Sequence, residues 1–125
     1  MAKILVADDS RFQVQLLSNY LTANGHHVTT ALDALQASMT AMREIPDAIV
    51  LDINMPGGTG FEVLKRLRNS TKTCHIPVVI VSGNEMDPEN MKKIGAAGFL
   101  HKPVDAEVLC ETLNQVLSPT RRRHH

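Results

Sequence analysis

Short apolar runs alternate along this chain with longer stretches in which apolar residues recur at every third or fourth position. A continuous apolar run of about four residues is typical of a strand that is buried on both faces. The second run is more polar, so we expect it to lie at or near an edge of the sheet. The predicted strands cover residues 4–7, 28–31, 48–51, 78–81 and 99–101.

The stretches that follow the strands are predicted to form amphipathic helices. Each begins after a serine, threonine or aspartate that can accept a hydrogen bond from the first helical turn. The predicted capping residues are Ser10, Asp33, Thr59, Asp87 and Asp105. The apolar residues at helical spacing, which we expect to face the core, are Phe12, Leu16, Leu17, Tyr20 and Leu21 in the first helix; Leu35, Met39, Met42 and Ile45 in the second; Phe61, Leu64 and Leu67 in the third; Met91 and Ile94 in the fourth; and Leu109, Leu113, Val116 and Leu117 in the fifth.

Five strands that alternate with five helices predict a (βα)₅ domain of the α/β class. Its sheet is expected to be parallel and doubly wound, with helices on both faces and right-handed crossovers. The length of 125 residues suits one domain. Ligands of such open sheets bind beyond the carboxyl ends of the strands, so those ends are where we look for a site.

The charge balance is neutral overall, with 13 basic and 13 acidic residues. Removing Arg121–Arg123 at the C-terminus leaves 10 basic against 13 acidic residues, a net charge of −3. A mildly acidic domain argues against direct nucleic-acid binding. We find no membrane-spanning run and no signal segment, and we expect a cytoplasmic protein that is a monomer or a weak dimer.

Polar residues follow four of the five predicted strands. The first strand ends at Asp8 and Asp9, the third at Asp52, the fourth at Ser82 and the fifth at Lys102. Carboxylates that meet in one crevice repel one another, and a bound cation would remove this repulsion. Carboxylate and carbonyl oxygens are suitable ligands for Mg²⁺. A cation, an ammonium and a hydroxyl around one carboxylate form a site for phosphoryl transfer, with Asp52 as the nucleophile that becomes an aspartyl phosphate.

A set of short motifs occurs in a defined order along the chain. It consists of Asp8-Asp9, Asp52-x-x-Met55-Pro56, Gly60, Ser82-Gly83, Gly95-Ala96 and Lys102-Pro103. This ordered set resembles the receiver domains of bacterial two-component response regulators, the CheY-like family. The resemblance covers residues 3 to about 117 and implies a flavodoxin-like fold with strand order 2-1-3-4-5. We expect the receiver domain to span 1–118 and residues 119–125 to be a C-terminal tail, a linker stub or a tag remnant.

The resemblance also implies roles for the residues at the strand ends. Asp52 would accept a phosphoryl group from a phosphohistidine on a histidine kinase or a histidine phosphotransfer protein. The carboxylates of Asp9 and Asp52 and the backbone carbonyl of Asn54 would bind Mg²⁺, and Asp8 would support the metal, partly through water. Lys102 and the hydroxyl of Ser82 would bind phosphoryl oxygens. Such a domain is a signalling switch that catalyses only its own phosphorylation and dephosphorylation.

Further residues are implied to carry the signal. Movement of Ser82 would let Phe99 turn inward and change the surface of the last two helices and the fifth strand, which a downstream output protein or a fused output domain would read. The kinase-side partner is expected near Arg11, Phe12 and Val104. The peptide bond between Lys102 and Pro103 is expected to be cis.

Two functions from other classes fit the same residues less well. An aspartate-nucleophile phosphatase needs a second acid two residues after the nucleophile, and Asn54 cannot do that work. A flavodoxin needs a phosphate-binding loop after the first strand, where Asp8 and Asp9 would repel the phosphate. Each motif alone is commonly a turn or a helix cap. A receiver that serves only as a scaffold remains open, although the chain keeps all three acids and the lysine.

Overall fold

The computed structural model describes residues 2–84 and 87–117. The predicted tail at 119–125 lies outside the described residues, and so does residue 118, at which we expect the domain to end. The domain boundary therefore stays a prediction.

The described residues form five long strands, five helices and one short hairpin. In chain order these are β1 (Lys3–Ala7), α1 (Arg11–Ala23), β2 (His27–Ala31), α2 (Ala34–Glu44), β3 (Ala48–Asp52), β4 (Asn54–Met55), β5 (Gly58–Thr59), α3 (Gly60–Arg68), β6 (Val78–Ser82), α4 (Pro88–Lys93), β7 (Gly98–His101) and α5 (Ala106–Val116). The antiparallel hairpin β4–β5 was not predicted from the sequence. It turns through Gly57 and Gly58, which both have positive φ, a conformation that glycine adopts without strain.

The five long strands make one parallel sheet in the order β2-β1-β3-β6-β7. Counting only these strands, the order is 2-1-3-4-5, so the predicted α/β fold and strand order are confirmed. The second strand lies at an edge, as its polar composition predicted. All five residues of β3 and of β6 are buried, as expected for central strands covered on both faces.

Two hydrophobic clusters cover the two faces of the sheet. One cluster contains the buried residues of α2, α3 and α4, and the other contains those of α1 and α5. Leu64, Leu67, Leu109, Leu113 and Val116 are buried in these clusters, which confirms their predicted orientation. The helices therefore cover both faces of the sheet and leave the carboxyl ends of the strands at one edge.

The prediction of which residues of α2 face the core is wrong. Leu35 and Met39 are 59% and 57% exposed, and Met42 and Ile45 are also exposed. The buried residues of α2 are instead small, namely Ala34, Ala37, Ser38, Thr40 and Ala41. Small side chains let the helix lie close to the sheet, so the large apolar residues on the other face point to solvent.

Three further aromatic or aliphatic residues are more exposed than predicted. Phe12 is 77% exposed, Leu16 is 51% exposed and Phe61 is also exposed. Their helices bury Val14 and Val63 instead, two positions away in each case. Helical spacing gives the period of an apolar stripe, but where the stripe is wide it does not determine which of its residues meet the core.

The predicted helix caps are confirmed at all five helices. The side chain of each predicted residue accepts a hydrogen bond from a backbone N–H in the first turn; these residues are Ser10, Asp33, Thr59, Asp87 and Asp105. Each cap determines the residue at which its helix begins.

Candidate functional site

The carboxyl ends of β1, β3, β6 and β7 form a crevice lined by the polar residues that the sequence singled out. Asp52 is the last residue of β3 and is buried, and Asp8 directly follows β1 and is also buried. Asp9, the next residue, is exposed to solvent. Parallel pairing of β1 with β3 places Ala7 opposite Leu51, so the acids at these two strand ends are neighbours.

The three carboxylates form one cluster. One oxygen atom from each of Asp8, Asp9 and Asp52 lies within 4.8 Å of the others. Asp8 is oriented by its Oδ1 atom, which accepts a hydrogen bond of 2.9 Å from the backbone N–H of Ser10. Burial raises the pKa of Asp8, and the charge of Asp52 adds to that rise, while the Ser10 hydrogen bond opposes it. The ionised form of Asp8 is therefore less favourable in the folded protein than in water.

Lys102 supplies the positive charge of the crevice. Its Nζ atom donates a hydrogen bond of 3.1 Å to Oδ2 of Asp52 and lies 3.7 Å from Oδ2 of Asp8. Burial alone lowers the pKa of Lys102, but the hydrogen bond to Asp52 and the negative charges of Asp8, Asp52 and Asp9 together outweigh it, and the net pKa is raised. The backbone N–H of Lys102 donates to the carbonyl of Ser82, and the Lys102–Pro103 peptide bond is cis.

Backbone amides orient the other polar groups of the crevice. The N–H of Asn54 donates to Oδ1 of Asp52 at 3.3 Å, so the two oxygens of Asp52 have different partners. Ser82 is buried at the end of β6, and its Oγ atom accepts a hydrogen bond of 3.1 Å from the N–H of Asn84. The roles of these two amides were not predicted. The sequence indicated a turn after each strand. It could not indicate which backbone N–H would donate, because every residue except proline has one.

Gly60 lies tightly against the backbone that carries Asp52. A Cβ atom at this position would lie 2.5 Å from the carbonyl oxygen of Asp52 and 2.9 Å from the Cα atom of Ile53. The N–H of Gly60 also donates to the carbonyl of Ile53. Glycine is required at this position because the start of α3 packs directly on the end of β3.

The remaining predicted residues lie outside this cluster. Phe99 is in the edge strand β7 and is 36% exposed. Arg11 and Phe12 begin α1 and are exposed, and Val104 is partly buried against the cluster of α1 and α5. Among the described residues, none of these four is hydrogen-bonded or ion-paired to the three carboxylates.

The donor set of the crevice fits a hard divalent cation. Two of the three carboxylates are buried, and Lys102 is the only basic side chain paired with them in the described part of the chain. Carboxylate and carbonyl oxygens are the ligands that Mg²⁺ takes, and they leave room for water and a phosphate oxygen. The cluster of Asp8, Asp9 and Asp52 could therefore bind a metal.

The longest helix in the described part of the chain is α1, with 13 residues. Within the described residues, no helix is long and apolar enough to cross a membrane.

Comparisons with known proteins agree with the geometry. The family model for the response regulator receiver domain matches residues 4–114. Protein PilH of Pseudomonas aeruginosa is 38% identical over 120 residues, which cover 94% of this chain and 99% of PilH. Response regulator PleD of Caulobacter vibrioides is 41% identical over 110 residues, and the match spans 24% of that longer protein.

A solved structure shows the same fold. The chemotaxis response regulator CheY4 of Vibrio cholerae superposes with a TM-score of 0.87 at 38% identity, over 94% of this chain and 99% of CheY4. Receiver domains are signalling switches that act with histidine kinases and output domains. The chain belongs to the response regulator receiver family of two-component signalling.

Proposed function

We propose that this domain accepts a phosphoryl group on Asp52 from the phosphohistidine of a histidine kinase or a histidine phosphotransfer protein. The observation that carries the proposal is the contact of 3.1 Å between Oδ2 of Asp52 and Nζ of Lys102, beside two further carboxylates. A nucleophilic carboxylate, an ammonium and acidic metal ligands are the parts that phosphoryl transfer requires.

In the proposed reaction, a carboxylate oxygen of Asp52 attacks phosphorus. An O–P bond forms, the P–N bond breaks, and its electron pair returns to the imidazole nitrogen of the donor. The Asn54 amide and Lys102 hold the two oxygens of Asp52 before attack. Once the phosphoryl group has arrived, Lys102 can move to one of its oxygens, because a lysine ammonium is a compact charge on a flexible stem.

Mg²⁺ would be held by the carboxylates of Asp9 and Asp52 and the backbone carbonyl of Asn54, with Asp8 in support. When bound, it would neutralise charge on the transferring phosphoryl group. The three clustered carboxylates support this part of the proposal. Burial, and to a lesser extent the charges of Asp52 and Asp9, raise the pKa of Asp8, so a cation in the crevice would offset an unfavourable charge. The hydrogen bond from Ser10 keeps Asp8 oriented towards that role.

The proposed switch uses Ser82 and Phe99. Ser82 accepts a hydrogen bond from Asn84 and keeps its own hydroxyl proton, which it can donate to a phosphoryl oxygen. Phe99 is paired opposite Ile80, two residues before Ser82, and is partly exposed on the edge strand. Inward movement of Ser82 would make room for Phe99 and alter the surface formed by α4, β7 and α5. Phenylalanine can report this change by packing only, since it has no hydroxyl.

Intact-mass spectrometry after incubation with acetyl phosphate tests the phosphoacceptor. We expect one added phosphoryl group with Mg²⁺ and none after chelation with EDTA. Asp52→Asn should show no adduct, whereas the control Asp33→Asn should be phosphorylated like the wild type. Asparagine replaces aspartate well at a helix cap, so the control keeps its fold. An adduct on Asp52→Asn would contradict the proposal.

Amide chemical shifts measured by NMR test the switch separately. Phosphorylation of the wild type should shift the resonances of Gly98–His101 and of α5. In Ser82→Ala the adduct should still form, but these remote shifts should be reduced because the hydroxyl that moves is missing. Identical remote shifts in the two proteins would rule out Ser82 as the link.

A further inference from the structure

The surface between α2 and α3 carries an apolar groove that the proposed phosphoryl chemistry does not use. The groove has a volume of about 520 Å³. Its lining residues are Leu35, Ser38, Met39, Met42, Arg43 and Arg66. It lies on the face of the sheet covered by α2, α3 and α4, on the side of the edge strand β2, whereas Phe99 lies in the opposite edge strand.

Three large apolar side chains form a stripe along this groove. Leu35, Met39 and Met42 are spaced by four and three residues, so they lie on one face of α2, and all three are exposed. The core does not need them, because the opposite face of α2 fills it with small residues. Exposed apolar side chains gathered in a groove are typical of an interaction surface, and methionine adapts its shape to a partner.

A buried polar group in the groove lacks a partner. Ser38 is only 7% exposed, and its Oγ atom is the one buried side-chain oxygen or nitrogen without a hydrogen bond in the described residues. Buried hydroxyls are nearly always hydrogen-bonded, because an unpaired one loses its contact with water and gains nothing in return. Because the Oγ atom is itself buried, a partner in the groove could bond to it only after the Ser38 side chain rotates outward.

The charge around the groove is positive. Arg43 at one rim has a side chain that is 65% exposed, and among the described residues its one ion pair is with its neighbour Glu44 at 3.3 Å. Arg66, from the last turn of α3, is the second basic residue of the lining. Two guanidinium groups beside an apolar stripe match a partner that carries apolar residues next to carboxylates.

We propose that this groove docks an amphipathic helix of a partner protein, with an apolar stripe flanked by aspartate or glutamate. The stripe from Leu35 to Met42 covers eight residues of helix, or about 10 Å along the axis, which suits about two turns of a partner helix. A second copy of this chain fits less well, since a two-fold contact would bring Arg43 and Arg66 of both copies to one interface. Docking here leaves the surface of α4, β7 and α5 free.

Two synthetic peptides of about 18 residues test the proposal. Both are helical and carry leucines at spacings of three and four; one has glutamates beside the leucines, and the other has lysines. Titration of the labelled full chain, followed by NMR, should give saturable shifts confined to Ala34–Glu44 and Gly60–Arg68 with the acidic peptide. The basic peptide should bind at least about tenfold more weakly.

Variants of the chain locate the binding surface. Met39→Asp and Arg66→Glu should each weaken binding of the acidic peptide at least about tenfold. The matched control is Leu16→Asp, because Leu16 is an apolar residue of similar exposure on α1, at 51% against 57% for Met39. Its affinity should equal that of the wild type. Circular dichroism establishes that each variant is folded, and if Met39→Asp is not, Arg66→Glu gives the same test.

Several results would overturn the proposal. These are the absence of saturable shifts, equal binding of the two peptides, or equal loss of binding in Leu16→Asp. Concentration-dependent dimerisation that Met39→Asp abolishes would also overturn it, because the groove would then bind a second copy of this chain.

Discussion

The acidic crevice and the outer face of α2 both contain residues that stand out in the sequence. The sequence predicted the position of the crevice residues correctly, but it predicted the wrong orientation for the residues of α2. In the crevice, residues far apart in the chain meet because parallel strands bring their carboxyl ends to one edge. On α2, neighbouring apolar residues were expected to face the core and instead face solvent. Topology determines where a strand ends, but the orientation of a helix depends on which side chains allow close packing.

The same charged residue introduced on each face of α2 would distinguish the buried face from the exposed one. Ala41→Asp places a carboxylate in the core, where Ala41 is fully buried, and should lower the free energy of unfolding by about 3–5 kcal/mol. Met39→Asp on the outer face should change it by less than about 1 kcal/mol. Urea denaturation measures both values. Similar losses in the two variants would show that the outer face is buried after all.

Gly60→Ala tests how closely α3 approaches the crevice. The added Cβ atom would clash with the carbonyl oxygen of Asp52, so we expect a loss of about 1–3 kcal/mol in the free energy of unfolding. Gly83→Ala is the control, because a Cβ atom there has no neighbour within 4 Å. Thermal and urea unfolding should separate the two variants clearly, and equal stabilities would contradict the close contact.

Lys102→Met removes the ammonium that is bonded to Asp52. Since Lys102 is about one-third exposed, solvent screens the pair, and we expect a loss of only about 1–2 kcal/mol without metal at neutral pH. The pKa of Lys102 is raised, so its stabilising effect is present below the ordinary lysine pKa and is lost as the pH rises through the raised value. Lys72→Met, at an exposed position, serves as the control in urea denaturation with EDTA.

Among the substitutions in the crevice, Asp8→Asn should produce the smallest change in stability, and it should be a gain. The pKa of Asp8 is raised in the folded state, mainly by burial. The folded protein therefore binds the proton more tightly, and the stability of the metal-free wild type falls as the pH rises from the ordinary aspartate value of 3.8 through the raised value. Asparagine avoids this cost while still accepting the Ser10 hydrogen bond, so the metal-free variant should be more stable at neutral pH by about 1 kcal/mol.

Added Mg²⁺ should change the relative stabilities of the wild type and Asp8→Asn. It should stabilise the wild type in urea denaturation and stabilise Asp8→Asn less, because the variant offers one carboxylate fewer. A wild type whose unfolding is the same with Mg²⁺ and with EDTA would contradict a metal site in the crevice.

The parts of the fold that the sequence predicted share a physical basis. Apolar runs that end in Asp8, Asp52 and Ser82 mark buried parallel strands, and chain order then brings their ends together. Capping residues predict the helix starts because the orphan N–H groups of a first turn need an acceptor. These features depend on local chemistry and on connectivity, both of which can be read from one sequence.

The parts that were missed depend on tertiary packing. α2 has two stripes of helical period, one of alanines and one with Leu35, Met39 and Met42, and hydropathy favours the larger residues. Which stripe packs inward depends on how closely α2 can lie to the sheet, which the sequence alone does not show. The amides that bond Asp52 and Ser82 were missed for a related reason, since every residue except proline has the same backbone donor.

Chemical identification of the phosphorylated residue tests the central claim most directly. The protein would be treated with acetyl phosphate and Mg²⁺, reduced with borohydride, digested and sequenced by mass spectrometry. Borohydride reduces an aspartyl phosphate to homoserine, which stays in the chain as a permanent label. We expect homoserine at position 52 alone, and none when EDTA replaces Mg²⁺. Homoserine at position 8 or 9 instead, or at no position in folded protein that binds Mg²⁺, would contradict the assignment of Asp52 as the phosphoacceptor.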